Sequence, residues 1–409
     1  MGSDALAAVN LALPFAALAT ALADQIAMGG ASVAAIRLGR GDRQGAGKAA
    51  STCVATTLVA AIGLGTFGMA FSEHISSASG AAGRLLAPTS EYIHYYNAFV
   101  LFAMLGICLS ALVRNDGRPG LAFWGMVAGA GANVFLDWLF IFPWQMGIKG
   151  AAIASGVGQI MTVAILSTHF FRGKGKLKLR LSLLAPSLTG KILLRGVPEF
   201  VTQISQPLTI LCFNYMVMRL LGEEGVSAYA IICNLTSLIF AVQVGVANGM
   251  QPLFGRSFGE KNHSLTRRFW HTGVVMNLAA STFLYAALVL GRTHITALFG
   301  ADPELAATAA GGLVLYGLAF IPASYSITAT AFFLSTKRTG PAMLIASARG
   351  CILNVALIIA IPAFFGGSAI WLPLIAVETL TIVAGAILMK RAGTRRNSDS
   401  VVLLQKAAA

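Results

Sequence analysis

Eleven apolar stretches dominate this chain of 409 residues, and each is long enough to cross the roughly 30 Å of a bilayer's hydrocarbon as a helix. They run over 4–36, 46–72, 88–113, 119–142, 150–171, 193–220, 226–254, 269–291, 305–334, 341–363 and 367–389. The runs are continuous rather than alternating, which excludes the strands of a membrane barrel. With 56% hydrophobic residues, 11% charged residues and a mean hydropathy of +0.76, the chain is too apolar to build a water-facing surface. The expected fold class is an all-α membrane protein of about eleven transmembrane helices.

A net charge of +14 would suit a nucleic-acid partner only if the cations formed a patch interleaved with aromatics, and they do not. They lie in alternate connections: Arg37, Arg40, Arg43 and Lys48; Arg114 and Arg118; Arg172 through Arg195; Arg256, Lys261, Arg267 and Arg268; Lys337 and Arg338; and the tail from Lys390. By the positive-inside rule these connections and the C-terminus face the cytoplasm, with the N-terminus outside. The intervening connections hold only Arg84, Lys149, Arg219 and Arg292.

Cys53, Cys108, Cys212, Cys233 and Cys351 fall inside apolar spans without Cys-x-x-Cys spacing and are read as packing residues. The six histidines lie at or near loops without ligand spacing, so no metal site and no cofactor are expected. Trp138, Trp144, Trp270 and Trp371 fall near span ends and are read as anchors at the membrane interface. An integral-membrane enzyme would need a catalytic constellation, and the spans hold no His-Glu-x-x-His, no paired Asp-rich motif and no Ser/His dyad. The start, Met1-Gly-Ser-Asp, has no basic region of a cleavable signal peptide and no myristoylation pattern.

The chain also repeats itself. Gly29 to Asp42 and Gly245 to Asn262 share a small-residue run, an Arg before the end and a Gly-x-x-polar exit. One offset of 220 residues matches Gly39 with Gly259 and Asp42 with Asn262. Six spans follow residue 193 and five precede it, so the parent architecture is six plus six, and the chain reads as lacking its first transmembrane helix. The expected organisation is an N-terminal lobe over 1–171, a basic linker over 172–192 held against anionic lipid by its charge, a C-terminal lobe over 193–390, and a polar tail over 391–409.

Ionisable residues inside a membrane are costly and carry a functional hypothesis by default. Asp137 lies late in its span, and Asn133 is one turn earlier on the same helix face, setting an amide oxygen beside a carboxylate. Hard oxygen ligands of this kind suit Na⁺ or H⁺; the alternative is a buried carboxylate tied to neighbouring hydroxyls. Glu199 follows Pro198 and is read as a helix cap. Glu378 and Arg349 lie at depths that allow pairing, as a structural salt bridge or as a gate or proton relay. Asp24, mid-span beside Gln25 and close to Gly29-Gly30, has an open role, with an intramembrane gate or relay as the candidate. Pro207 and Pro322 are candidate hinges.

The Gly-rich span ends, Arg114-Asn-Asp-Gly-Arg-Pro119, Asn133-Val-Phe-Leu-Asp137 with Gly147-Ile-Lys-Gly-Ala-Ala152, and Gly196-Val-Pro198 with Gln251-Pro252 together resemble the multidrug and toxic compound extrusion family. Within it, the chain resembles the bacterial branches related to the DNA-damage-inducible transporters. The resemblance implies two lobes around a central cavity and a monomeric antiporter that exports cationic or amphipathic small molecules in exchange for H⁺ or Na⁺ across the bacterial plasma membrane. It implies a cation site at Asn133 and Asp137, with Ser155 supplying a hydroxyl, while the family's first-helix aspartate falls on the missing helix. A lipid-linked precursor flippase of the same superfamily and a non-transporting relic are the alternatives.

Overall fold

Long apolar runs without internal polar partners satisfy their backbones within helices. A computed structural model describes residues 3–173, 175–297 and 303–387, and among these it is helical almost throughout. The first half holds α1 (Ser3–Gly39), α2 (Arg43–Ala70), a short α3 (Ser72–Ala78), α4 (Leu86–Asn115), α5 (Pro119–Ile141) and α6 (Gly147–Phe171). The second holds α7 (Thr189–Gly259), α8 (His263–Ala297), α9 (Pro303–Leu318), α10 (Phe320–Ser335), α11 (Thr339–Ser347) and α12 (Leu353–Phe365), then a last span, Ala369–Ile387.

Ten helical stretches among the described residues are long and apolar enough to cross a membrane. One of them is double. In α7 only Gly222, at φ 70 and ψ −161, leaves helical geometry, and the chain on either side of it is long enough to span. Among the described residues the protein is therefore an all-α multi-pass membrane protein with eleven spans, as the apolar runs require. α9 and α10 form a single span, interrupted at Ala319. Pro322 has no N–H to offer the Leu318 carbonyl, which places the break one turn before the proline.

The sequence repeat is visible in the backbone. Asp42 Oδ1 accepts from Gly45 N at 2.7 Å, and Asn262 Oδ1 accepts from Leu265 N at 3.0 Å, so both caps close the start of the following helix in the same way. The residues before them turn left-handed, Gly41 at φ +78 and Lys261 at φ +57. The same offset pairs Gly117 at φ +85 with Lys337 at φ +63 in the α4–α5 and α10–α11 connections. The first half meets this geometry with glycine; the second holds a lysine in it.

By contact the chain divides into two compact units. The first comprises residues 1–204, 251–266 and 334–337, and the second 205–250, 267–333 and 338–409. The first unit packs on small side chains, with Ala27, Ala31, Ala34, Ala46, Ala49, Ala50 and Cys53 buried together, and helix backbones meet there. A Cβ built on Gly29 would collide with the Ile192 carbonyl, and one on Gly39 would lie 3.0 Å from Gly259 Cα. The second unit packs on rings. Phe213 stacks on Tyr229 at 4.7 Å between centroids and meets Tyr316 edge-on at 5.4 Å, with Trp371 closing the cluster.

Three expectations change here. Trp138 and Trp144 are exposed, but Trp270 and Trp371 are buried in the second unit, where other aromatics cover them, and so do not anchor at an interface. Glu199 does not cap a helix, because α7 already begins at Thr189 and carries Pro198 within it. The linker after α6 is pinned to protein rather than held by charge alone: Lys176 N and Leu177 N donate to Asp116 Oδ1 at 2.8 and 3.1 Å, and Arg180 N and Ala185 N donate to Ser51 Oγ and Thr52 Oγ1 at 3.1 and 3.0 Å. Leu177 is buried while Lys176, Lys178 and Arg180 face outward. The tail over 391–409 lies outside the described residues.

Candidate cation-coupling site

Pro119 at the first turn sets the start of α5, and the chain reverses through Gln145 and Gly147, both left-handed, so that α6 returns alongside it. The two helices touch at Gly129 and Gly158. A Cβ on either glycine would lie 2.6 Å from the other's carbonyl oxygen. One turn beyond this contact Asn133 reaches both helices: its Nδ2 donates to Asp137 Oδ2 at 3.1 Å and to Ser155 Oγ at 3.2 Å. The three residues expected from the sequence are thus brought together, with the amide nitrogen, not the amide oxygen, turned to the carboxylate.

The other oxygen of that carboxylate, Asp137 Oδ1, is buried and has no hydrogen-bond partner. Among the described residues no lysine, arginine or histidine pairs with Asp137. The Tyr92 phenol on α4 lies within the field of Asp137. An anionic carboxylate with only neutral partners is costly in a low-dielectric medium.

Asp24, on α1, pairs with α7 and not with this cluster. Its Oδ2 accepts from Gln203 Nε2, while the adjacent Gln25 Nε2 donates to the Leu193 carbonyl at 3.1 Å. Arg114, at the end of α4, is the cation whose field reaches Asp24. Nothing in the local spacing of the sequence marks the Asp24–Gln203 pairing, which spans 179 residues.

In the second unit Arg349 Nε donates to Glu378 Oε1, the ion pair that their depths suggested. The helix widens to accommodate it, with a π turn over Ala348–Ile352 between α11 and α12. The loosened carbonyls find side chains: Thr209 Oγ1 donates to Gly350 O at 3.1 Å, and Asn354 Nδ2 donates to Arg349 O. Glu378 is almost fully buried, and its Oε2 has no partner.

Two polar clusters escaped the sequence reading. Asp116, in the α4–α5 connection, takes His169 Nε2 at 2.7 Å besides the linker amides. In the second unit the fully buried Gln243 and Asn277 tie α7, α8 and α10 together through Ser281 Oγ at 2.8 Å and Thr328 Oγ1 at 3.0 Å. The first lay inside a recognised loop motif; the second joins neutral residues that carry no signal of charge.

The sequence profile described as MatE matches residues 1–139 and 198–359. The chain belongs to the MatE family of multidrug and toxic compound extrusion transporters. Among curated relatives it is similar to the multidrug export protein MepA of Staphylococcus aureus, 22% identical over 416 residues, with 98% of this chain and 89% of that protein covered. MepA of Staphylococcus haemolyticus is 23% identical over 412 residues, with the same coverage.

Among solved structures it is similar to a multidrug resistance MATE family transporter of the MOP superfamily in an outward-facing conformation. That likeness has a TM-score of 0.92 at 20% identity and covers 97% of this chain and 90% of the other. A MOP superfamily transporter from Pyrococcus furiosus, for which a reversed polarity of the binding pocket is described, gives 0.88 at 20% identity, covering 96% and 88%. At such identities the structural likeness establishes the MatE fold alone.

Proposed function

We propose that this MatE-family chain is a secondary active antiporter that exports cationic or amphipathic small molecules in exchange for H⁺ or Na⁺. The observation that carries the coupling site is the half-buried Asp137 carboxylate, with Oδ2 held by Asn133 and a buried Oδ1 unpartnered among neutral groups. Such a group changes its charge balance by taking or releasing a cation. If one lobe conformation admits the ion more favourably than the other, its binding biases the cycle, and differential affinity supplies the coupling. Asn133 and Ser155 orient the carboxylate and offer further polar atoms. The relatives' names as multidrug exporters support the substrate class.

In this reading the sequence halves over 1–171 and 193–390 are the lobes that move. The protein works as a monomer in the bacterial plasma membrane, with its basic connections and C-terminal end in the cytoplasm. No resident cofactor takes part; the coupling ion is cargo. Arg349 and Glu378 form a structural salt bridge, and Asp24 acts as a gate or relay residue, secondary to Asp137.

The test is efflux of a cationic dye from proteoliposomes containing the 409-residue protein, with an imposed H⁺ or Na⁺ gradient, beside an Asp137→Asn variant. Gradient-driven transport by the unaltered protein and its loss in the variant support the proposal. Equal transport by both removes Asp137 from coupling. A dependence on only one of the two gradients identifies the ion.

A further inference from the structure

One end of the first unit gathers cations from three separate stretches of chain. α1 brings Arg37 and Arg40, the first turns of α7 bring Lys191 and Arg195, and the α10–α11 connection brings Lys337. Helix packing holds these stretches together. Ser32 Oγ donates to the Leu334 carbonyl at 2.8 Å, three residues before Lys337. A Cβ on Gly29 would lie 3.1 Å from Gly196 N, so α1 and α7 meet backbone to backbone beside Arg195. The charges are therefore convergent by construction of the fold, not by choice of rotamer.

Lys337 registers the crowding. Partial burial, then the fields of Arg40, Arg195, Arg37 and Lys191, hold its ammonium below the ordinary lysine value. Its backbone is left-handed, where the matching position of the first half is Gly117, so a basic side chain stands here at a conformational cost.

Three acids at this end are engaged elsewhere. Asp42 caps α2, Asp116 holds His169 and the linker, and Glu260 pairs with Arg256 at 3.4 Å. Glu199 stands one turn beyond Arg195 along α7. Arg37 Nη1 donates to the Gly45 carbonyl at 2.7 Å, which orients the guanidinium without neutralising it.

We propose that Arg37, Arg40, Lys191, Arg195 and Lys337 form a binding site for a phosphate-bearing anion, either the headgroup of an acidic phospholipid or free phosphate. Guanidinium forks and lysine ammoniums match phosphate oxygens in both charge and hydrogen bonding. The site lies where spans end, as a headgroup site would require. It joins α1, from the first half of the sequence, to Leu334–Lys337, from the second. A bound anion favours the arrangement in which these touch and loses its grip where they part.

The experiment uses the full chain in nanodiscs of phosphatidylcholine, with or without phosphatidylglycerol, and reads labelling of Lys337 by an amine-reactive reagent together with the unfolding temperature. Phosphatidylglycerol is expected to protect Lys337 from labelling and to raise the unfolding temperature. The Arg40→Gln/Arg195→Gln variant is expected to lose both effects. Lys176→Gln/Lys178→Gln removes the same charge from the exposed linker and is expected to keep both.

Protection by inorganic phosphate in phosphatidylcholine discs assigns the site to free phosphate; protection by phosphatidylglycerol alone assigns it to the headgroup. The proposal is overturned if Lys337 is labelled equally in every condition. It is also overturned if the linker variant loses protection as fully as the cluster variant, because the effect then belongs to surface charge in general.

Discussion

The α5–α6 crossing and its counterpart in the second half, between the π turn at Arg349 and the last span, occupy matching places in the repeat and solve the same problem in opposite ways. The offset that links Gly41 to Lys261 also links Gly129 to Arg349 and Gly158 to Glu378. In the first half two glycines let backbones touch, and the polar cluster of Asn133, Asp137 and Ser155 sits one turn away. In the second half an ion pair fills the crossing, and the helix opens into a π turn around it. At the places matching Asn133, Asp137 and Ser155 the second half has Leu353, Leu357 and Ile375. One half thus keeps a carboxylate with only neutral partners among the described residues, while the other supplies the counter-charge from its own chain. An exchangeable site needs the first arrangement; a fixed one suits the second.

This contrast breaks most sharply at Asp137. Asp137→Asn keeps an acceptor for the Asn133 amide but removes the ionisable group, so gradient-driven dye efflux is expected to fall to the level of empty vesicles with little change in unfolding temperature. If Glu378→Gln does the same, the two crossings are functional equals and the contrast fails.

The expected result for Glu378→Gln is instead a loss of stability of about 3–5 kcal/mol, because Arg349 is left charged and unpaired in a buried place. Thermal unfolding in detergent would register it, and the joint Arg349→Met/Glu378→Met change should recover most of the loss. Gly158→Leu pushes α5 and α6 apart and is expected to cost about 1–3 kcal/mol, with transport lost as Asn133 is displaced.

Asp116→Asn weakens the hold on the linker amides and His169. A cost of about 1–3 kcal/mol is expected, read as faster proteolysis at Lys176 and Lys178. The smallest effect sharpens the repeat itself: Lys261→Gly gives the second half the residue that the first uses at Gly41, and a gain of about 1 kcal/mol is expected from relief of the left-handed backbone.

The spans were legible because each is a continuous apolar run, and even the two joined within α7 are separable at Gly222. The Asn133–Asp137 pair was legible because four residues along a helix return to one face. Ser155 needed the family likeness, and Asp24 with Gln203 could not be anticipated, since neither residue has a local signature. The burial of Trp270 and Trp371 shows the limit from the other side. A tryptophan near a span end suits the interface equally well until its neighbours are known, and here Tyr325 and Phe332 cover the first.

Hydropathy and loop composition determined that the chain crosses the membrane eleven times, and a single offset determined that its halves share one plan. Those properties depend on residues close in sequence, whose spacing alone sets helix length and turn geometry. Tertiary structure decided which acids stand with neutral partners and which with a cation, because the partner of a buried charge comes from another helix. The same holds at the basic end, where Arg37, Arg40, Lys191, Arg195 and Lys337 look like ordinary loop charges in sequence and become one cluster through helix contact.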